Sequence, residues 1–311
     1  MANTSELEKG LNELKRLTGI ALTVTAEDSE QEQLALEQIR CLCLAYREKY
    51  NKNDFLMGLM TGGVPSYYVK QRDARLHIAP EENRILFLIE MKEPDEIVGE
   101  ILKNLFPSQT KAYIVPVSKE RLAVLYPFHE TKDSKDSADE YARHLAHAIV
   151  DTLNAEALAH VQVSFSQMIP SLLELSVAFR EASLALKVGK LFYPEQTVFP
   201  YNKLGIGRLI YQLPASLCES FLQEVFLDEI PDKLDDETLL TINRFLQNNL
   251  NIAETSRQLH MHRNTLIYRL EQIEKRSGLD LRQFEDAMTF KIATMVMNYL
   301  HAEKGKNCTA V

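Results

Sequence analysis

No run of this sequence approaches the roughly 18 consecutive apolar residues that a membrane-spanning helix requires. The first residues, MANTSELEKGLNELKR, are polar and charged and lack the apolar centre of a secretory signal. Together these predict a cytoplasmic chain. Cysteine is scarce: Cys41, Cys43, Cys218 and Cys308 supply no disulfide framework. Cys41-Leu42-Cys43 is too short a fragment for a zinc site, which needs about four ligands. There is no excess of positive charge either. The 35 basic residues stand against 44 acidic ones, a net charge of −9, which by itself disfavours a nucleic-acid partner. His144 and His147 are three apart on a predicted helix, but no Glu completes a His-Glu-x-x-His zinc motif. No Gly-x-Ser-x-Gly elbow occurs. Gly62-Gly63 lacks the Lys-Ser/Thr of a phosphate loop and reads as a plain turn. The sequence thus offers no catalytic residue, no metal site and no cofactor motif.

What is there is an ordinary globular composition. The chain has 311 residues, 45% hydrophobic and 25% charged, enough for two or three domains with real cores. The negative charge is unevenly spread. Residues 237–300 hold eight basic and seven acidic side chains, so the rest of the chain carries the net negative charge. An acidic body with a near-neutral tail is compatible with DNA binding of modest electrostatic strength.

Residues 1–53 read as a short helical segment. Leu7, Leu11, Leu14 and Leu17 have helical spacing, and Ile20, Leu22 and Val24 alternate like a strand. A second helix over 30–50 carries Leu34, Ile39, Leu42 and Tyr46 along one side. Residues 54–205 alternate between strand and helix signals. ILFLIEM (85–91) is a continuous apolar run, the mark of a buried strand. A helix follows over 95–106, then strands at 111–117 and 121–126 joined as a hairpin through Ser118-Lys119-Glu120. A lysine-rich loop (130–136), a long helix (137–160), a strand (161–165) and a helix (170–192) complete the pattern. Helices layered on a mostly antiparallel sheet are the α+β class. Residues 206–236 read as a helical connector, and 237–303 as an all-helical domain with a polar, frayed tail from Lys304.

The stretch Asn251–Gly278, NIAETSRQLHMHRNTLIYRLEQIEKRSG, carries the functional signal. It reads as a short helix, a turn of about three residues, and a longer helix opening with His-Arg-Asn-Thr. That is the layout of a helix-turn-helix, whose second helix enters the DNA major groove. Leu266, Ile267, Leu270 and Ile273 form one apolar stripe on the second helix. Ala253 and Leu259 are expected to face the core from the first, and Phe284, Met288, Ile292, Met295 and Leu300 from the helix that packs behind. The opposite side of the second helix presents Arg263, Asn264, Tyr268, Arg269 and Gln272. Arginine can fork to guanine and asparagine can pair twice with adenine. Thr265 suits a phosphate or a thymine methyl, and His262 a phosphate. With Thr255, Ser256 and Arg257 on the first helix, the expected DNA-binding set is Thr255, Ser256, Arg257, His262, Arg263, Asn264, Thr265, Tyr268 and Arg269.

These residues also carry a resemblance. MHRNTLIYRLEQIEKRSGLDL (261–281) resembles the C-terminal helix-turn-helix signature of the PucR/CdaR family of bacterial transcription regulators. VSFSQMIPSLLELSVAFREASLALKVGKLFYPEQTVFPYNKLG (163–205) is similar to the end of that family's central domain. The resemblance implies a degenerate nucleotide-cyclase (GGDEF-like) central fold. It implies a DNA-binding regulator, active as a homodimer on double-stranded DNA and responding to a small-molecule effector. An active cyclase of that fold has a Gly-Gly-Asp/Glu-Glu-Phe turn, where this sequence has Ser118-Lys119-Glu120-Arg121. The glycines and paired acids that would hold Mg²⁺ are missing, so no cyclase activity is expected. Two other readings stay open at this point: a catalytically inactive, cyclase-like ligand-binding module, and a protein-interaction scaffold.

Overall fold

The computed structural model describes residues 2–18, 20–25, 28–49, 51–65, 69, 76, 78–129, 137–226 and 235–308. The expected lysine-rich loop at 130–136 lies outside them, as does most of the acidic end of the connector. The chain divides into two compact units: Met1–Leu186 with Thr197–Asn202, and Lys187–Gln196 with Lys203–Val311.

The first unit opens with helices α1 (Ala2–Thr18) and α2 (Ser29–Lys49), which pack on each other through Leu7, Leu14, Leu36, Ile39 and Cys43. The phase of α2 differs from the expectation. Leu36, Ile39 and Cys43, spaced three and four apart, point inward, and Leu34 and Leu42 are exposed. Residues 20–25 form no strand. Alternation is only half of a strand, which also requires a ladder of inter-strand hydrogen bonds. Helix α3 (Lys52–Met60) is capped by the Asn51 side chain, which accepts from the Asn53 amide. The Gly62-Gly63 pair ends this helix: Gly62 takes φ +75°, and Gly63 N–H donates to the Gly58 carbonyl at 2.8 Å.

A six-stranded sheet follows. It comprises β1 (Glu81–Met91), β2 (Tyr113–Pro116), β3 (Arg121–Pro127), β4 (Val161–Phe165), β5 (Ile169–Ser171) and β6 (Val198–Pro200). The order is β2-β3-β1-β4-β6, with β5 pairing the start of β1. Among the described residues only the β4–β6 pairing is parallel. The apolar run of β1 is explained by its central place. Ile85, Phe87, Ile89 and Met91 pack with helices α4 (Glu96–Leu105) and α5 (Ala138–Glu156). Ser164 faces the other way from its neighbours Val163 and Phe165, and its hydroxyl donates at 2.8 Å to the Ala182 carbonyl of helix α6 (Leu175–Phe192). Helices thus cover both faces of a mostly antiparallel sheet, an α+β unit. Pro170 and Ser171, expected as the start of a helix, instead fall in β5. Proline is tolerated in a short edge strand of this kind.

Among its described residues the second unit contains helices and no strand: α7 (Ile206–Ile210), α8 (Ala215–Phe226), α9 (Asp236–Gln247), α10 (Ile252–Gln258), α11 (Arg263–Ser277) and α12 (Phe284–Cys308). Ile210, Cys218, Leu222 and Phe226 from the 206–236 segment share a core with Phe245, Leu266, Leu270, Phe290 and Val296. Leu191 and Phe192, from the last turn of α6, pack against the same core. Helix α12 buries Ala287, Phe290, Ala293, Val296 and Leu300, while Phe284 and Met288, expected inside, are exposed. Both sets have helical spacing, so the sequence left the phase of this helix undecided. The helix also continues to Cys308, past the point where a polar tail predicts fraying.

Candidate nucleic-acid interface

Helices α9, α10 and α11 are set by two chain reversals made without glycine. At the end of α9, Asn249 adopts φ +50° and Leu250 φ +61°. Leu250 N–H donates to the Phe245 carbonyl, and Asn249 N–H to that of Leu246. At the end of α10, His260 adopts φ +52°, Met261 N–H donates to the Ser256 carbonyl, and His260 N–H to that of Arg257. Both are Schellman closures, which satisfy the orphan carbonyls of a helix end. Asn251 does not close α9. It is instead the N-cap of α10, its side chain accepting from the Glu254 amide at 3.1 Å.

Helix α11 begins at an unusual cap. His262 Nδ1 accepts from the Asn264 amide at 3.3 Å, so this ring is committed to the helix start. Leu266, Leu270 and Ile273 are buried and Ile267 is half-buried, which holds the helix by its inner stripe. Full burial of side chains of this size contributes roughly 1.5–3 kcal/mol each. The helix ends at Gly278, left-handed at φ +73°, with its N–H on the Glu274 carbonyl. Outward, Arg263, Asn264 and Thr265 are exposed at the first turn, and Tyr268, one turn after Asn264, is 61% exposed. The structure therefore brings four of the expected residues onto one accessible end of one helix.

The remaining five are placed differently. Thr255 is fully buried, its hydroxyl accepting from Asn248 Nδ2 at 3.2 Å. Ser256 is buried and donates at 3.0 Å to the Ala253 carbonyl. This corrects the expectation that both present oxygens to DNA: α10 is phased so that they face the core, and Ala253, expected inside, is exposed. Arg257 is exposed and paired with Glu254. His262 is exposed in its capping role. Arg269 is half-buried, its guanidinium donating to Glu237 and, at 3.3 Å, to Thr241 Oγ1; it too departs from the expected open face. Arg276, outside the expected set, is exposed seven residues beyond Arg269 on the same flank of α11.

The β2–β3 turn is the other place where chemistry was conceivable. Arg121 Nε and Nη2 both donate to Glu90 Oε1, at 2.8 and 2.6 Å. Glu90 is buried, so its carboxylate is occupied by a guanidinium. Among the described residues no three His, Cys, Asp or Glu side chains are grouped to hold a metal ion.

Comparison with known proteins gives this geometry its context. Residues 238–296 match the PucR C-terminal helix-turn-helix domain, and residues 61–188 match the GGDEF-like domain. The chain belongs to the PucR/CdaR family of regulators. Among its PucR/CdaR relatives, the purine catabolism regulatory protein of Bacillus subtilis is 30% identical over 45% of this chain and 27% of its own length. The carbohydrate diacid regulator of Escherichia coli is 23% identical over 92% of this chain and 79% of its own. The proline-responsive transcriptional activator PutR of Bacillus subtilis is 27% identical over 40% of this chain and 32% of its own. The chain thus spans about a quarter of the first relative's length. A solved regulator of polyketide synthase expression from Bifidobacterium adolescentis aligns over 79% of this chain and 90% of that chain. At 17% identity and a TM-score of 0.38, that is too low to equate the two folds. Among the described residues no helix is long and apolar enough to cross a membrane.

Proposed function

We propose that this PucR/CdaR-family chain is a sequence-specific DNA-binding transcriptional regulator that acts in the cytoplasm as a homodimer. In this reading Arg263 and Asn264 read base edges, Thr265 and Tyr268 contact the groove wall, and Arg257 and His262 lie beside phosphates. The observation that carries it is the exposed Arg-Asn-Thr end of α11, held on a helix whose other side is locked into the core. The helix-turn-helix family match supports it. A dimer places two such helix ends about one DNA turn apart, which offsets the weak electrostatic footprint of a single copy. Relatives are named for purine catabolism, carbohydrate diacids and proline, which supports a small metabolite as effector. The reading assigns the chain no reaction.

The test is binding of the full chain to the DNA upstream of its own coding region, measured across salt concentrations. Arg263→Ala and Asn264→Ala are expected to weaken binding to the preferred site by about 1–3 kcal/mol with an unchanged thermal midpoint. Unaltered sequence preference in both variants sinks the assignment of these readers.

A further inference from the structure

Between α9 and α11 lies a cleft of about 240 Å³, lined by Thr238 and Thr241 on one side and by Arg269, Gln272 and Arg276 on the other, with Glu237 at its edge. Thr265, Arg269, Gln272 and Arg276 follow one flank of α11 at spacings of four, three and four residues. At 1.5 Å per residue that row is roughly 16 Å long. It starts at the helix end assigned above to the bases. A line of donors beside a reading helix is where the sugar-phosphate strand along the groove passes.

We propose that this cleft is a backbone-phosphate site, and that the phosphate displaces Glu237 from Arg269. The inference rests on the DNA-binding reading and adds the residues that grip the strand. The Glu237–Arg269 pair is accessible, its two side chains 70% and 31% exposed. Exposed pairs of this kind contribute little stability. A phosphate offers the same guanidinium more charge and more oxygens, so the exchange is favourable. The geometry keeps Arg269 in place while its partner changes. Thr241 is buried, its hydroxyl donates at 2.8 Å to the Glu237 main-chain carbonyl, and its oxygen accepts from Arg269 Nη1. Neither bond uses the Glu237 carboxylate. The second acid at the cleft, Asp235, is already engaged, accepting from the Thr238 amide at 2.8 Å and the Thr238 hydroxyl at 2.7 Å. Glu237 is therefore a built-in competitor: it neutralises Arg269 in the free protein and repels phosphate until a duplex takes its place.

The experiment is fluorescence anisotropy of the full chain on a mixed-sequence duplex of about three helical turns, titrated with salt. Glu237→Gln is expected to tighten binding severalfold on all sequences alike. Arg269→Ala is expected to weaken it and to reduce the slope of log affinity against log salt by about 0.9. Arg276→Ala, at an exposed position, carries the slope measurement should Arg269→Ala not fold. Unchanged or weaker binding by Glu237→Gln overturns the proposal, as does an unaltered slope. A wild-type chain with no salt-dependent binding removes the DNA reading and this site with it. A wild-type chain that binds, alongside a silent Glu237→Gln, removes this site alone. Inorganic phosphate without DNA is expected to leave the thermal midpoint unmoved. A rise in that midpoint, enlarged by Glu237→Gln, would reassign the cleft to a free anion and overturn the backbone site.

Discussion

The sheet unit and the first turn of α11 in the helical unit treat their polar side chains in opposite ways. In the first, Glu90 and Arg121 meet each other across β1 and β3, and Tyr126 and Tyr141 share a hydrogen bond of 2.7 Å. Their polarity is consumed in holding the fold. In the second, Arg263, Asn264 and Thr265 stand at a helix end facing solvent, opposite a stripe whose Leu266 and Leu270 are buried. On the DNA-binding reading proposed above, the difference sets the reading residues apart from those that hold the fold. A rigid body carries the residues whose bonds are still to be made, and such residues occupy few positions.

The comparison can be broken most forcefully at the buried stripe. Leu266→Ala is expected to cost about 2–5 kcal/mol, seen as a fall in the denaturant midpoint. A cost below about 1 kcal/mol would mean that α11 is not held by that stripe. Arg121→Ala tests the sheet unit. It leaves the buried Glu90 carboxylate without its guanidinium and is expected to cost about 1–3 kcal/mol, discounted for the partial exposure of Arg121. The double variant Arg121→Ala, Glu90→Gln should recover part of that loss. If the single variant is neutral, the pair contributes nothing to the fold.

Smaller effects sharpen the contrast. Hydrogen bonds from the Thr238 hydroxyl and amide hold the Asp235 carboxyl below the usual carboxylate range. The Arg282 guanidinium does the same for Asp280. A folded pKa below the unfolded one means stability that is present above about pH 4 and lost as pH falls through the lowered folded value. Thermal melts of the helical unit should therefore fall as pH drops below about 4, and less so in Asp235→Asn, which caps without titrating. An acid response identical in wild type and variant would remove Asp235 from the account. Last, His260→Gly is expected to stabilise by about 0.5 kcal/mol. Relief of the left-handed strain slightly exceeds the freedom glycine gives the unfolded chain. A lower melting temperature would show that the His260 side chain contributes to the turn.

Much of this was legible in the residues. The Leu266, Leu270, Ile273 spacing fixes the buried side of α11, and the opposite side follows by geometry. The β1 run could only be a covered strand. What stayed hidden depends on partners distant in sequence. Thr255 and Arg269 are polar in type, but their engagement by Asn248, Glu237 and Thr241 is a matter of packing between helices. The alternating Ile20, Leu22 and Val24 lie outside any strand, because alternation is a local signal and a ladder is a long-range one. Phe284 and Met288 share the spacing of the true inner set, so periodicity alone could not choose between two rotations of α12. β5 is three residues long and contains a proline, below what a pattern can distinguish from a helix start.

The order of the two units along the chain has a practical consequence. The polypeptide enters the helical unit at Lys187, returns to complete the sheet with β6, and leaves again at Lys203. The two are therefore woven rather than threaded like beads. No single cut frees a whole helical unit: a fragment started after β6 forfeits Leu191 and Phe192 from its interior, and one started before α6 drags a strand of the sheet along. Anyone seeking a minimal DNA-reading fragment will have to splice across the excursion instead of trimming an end.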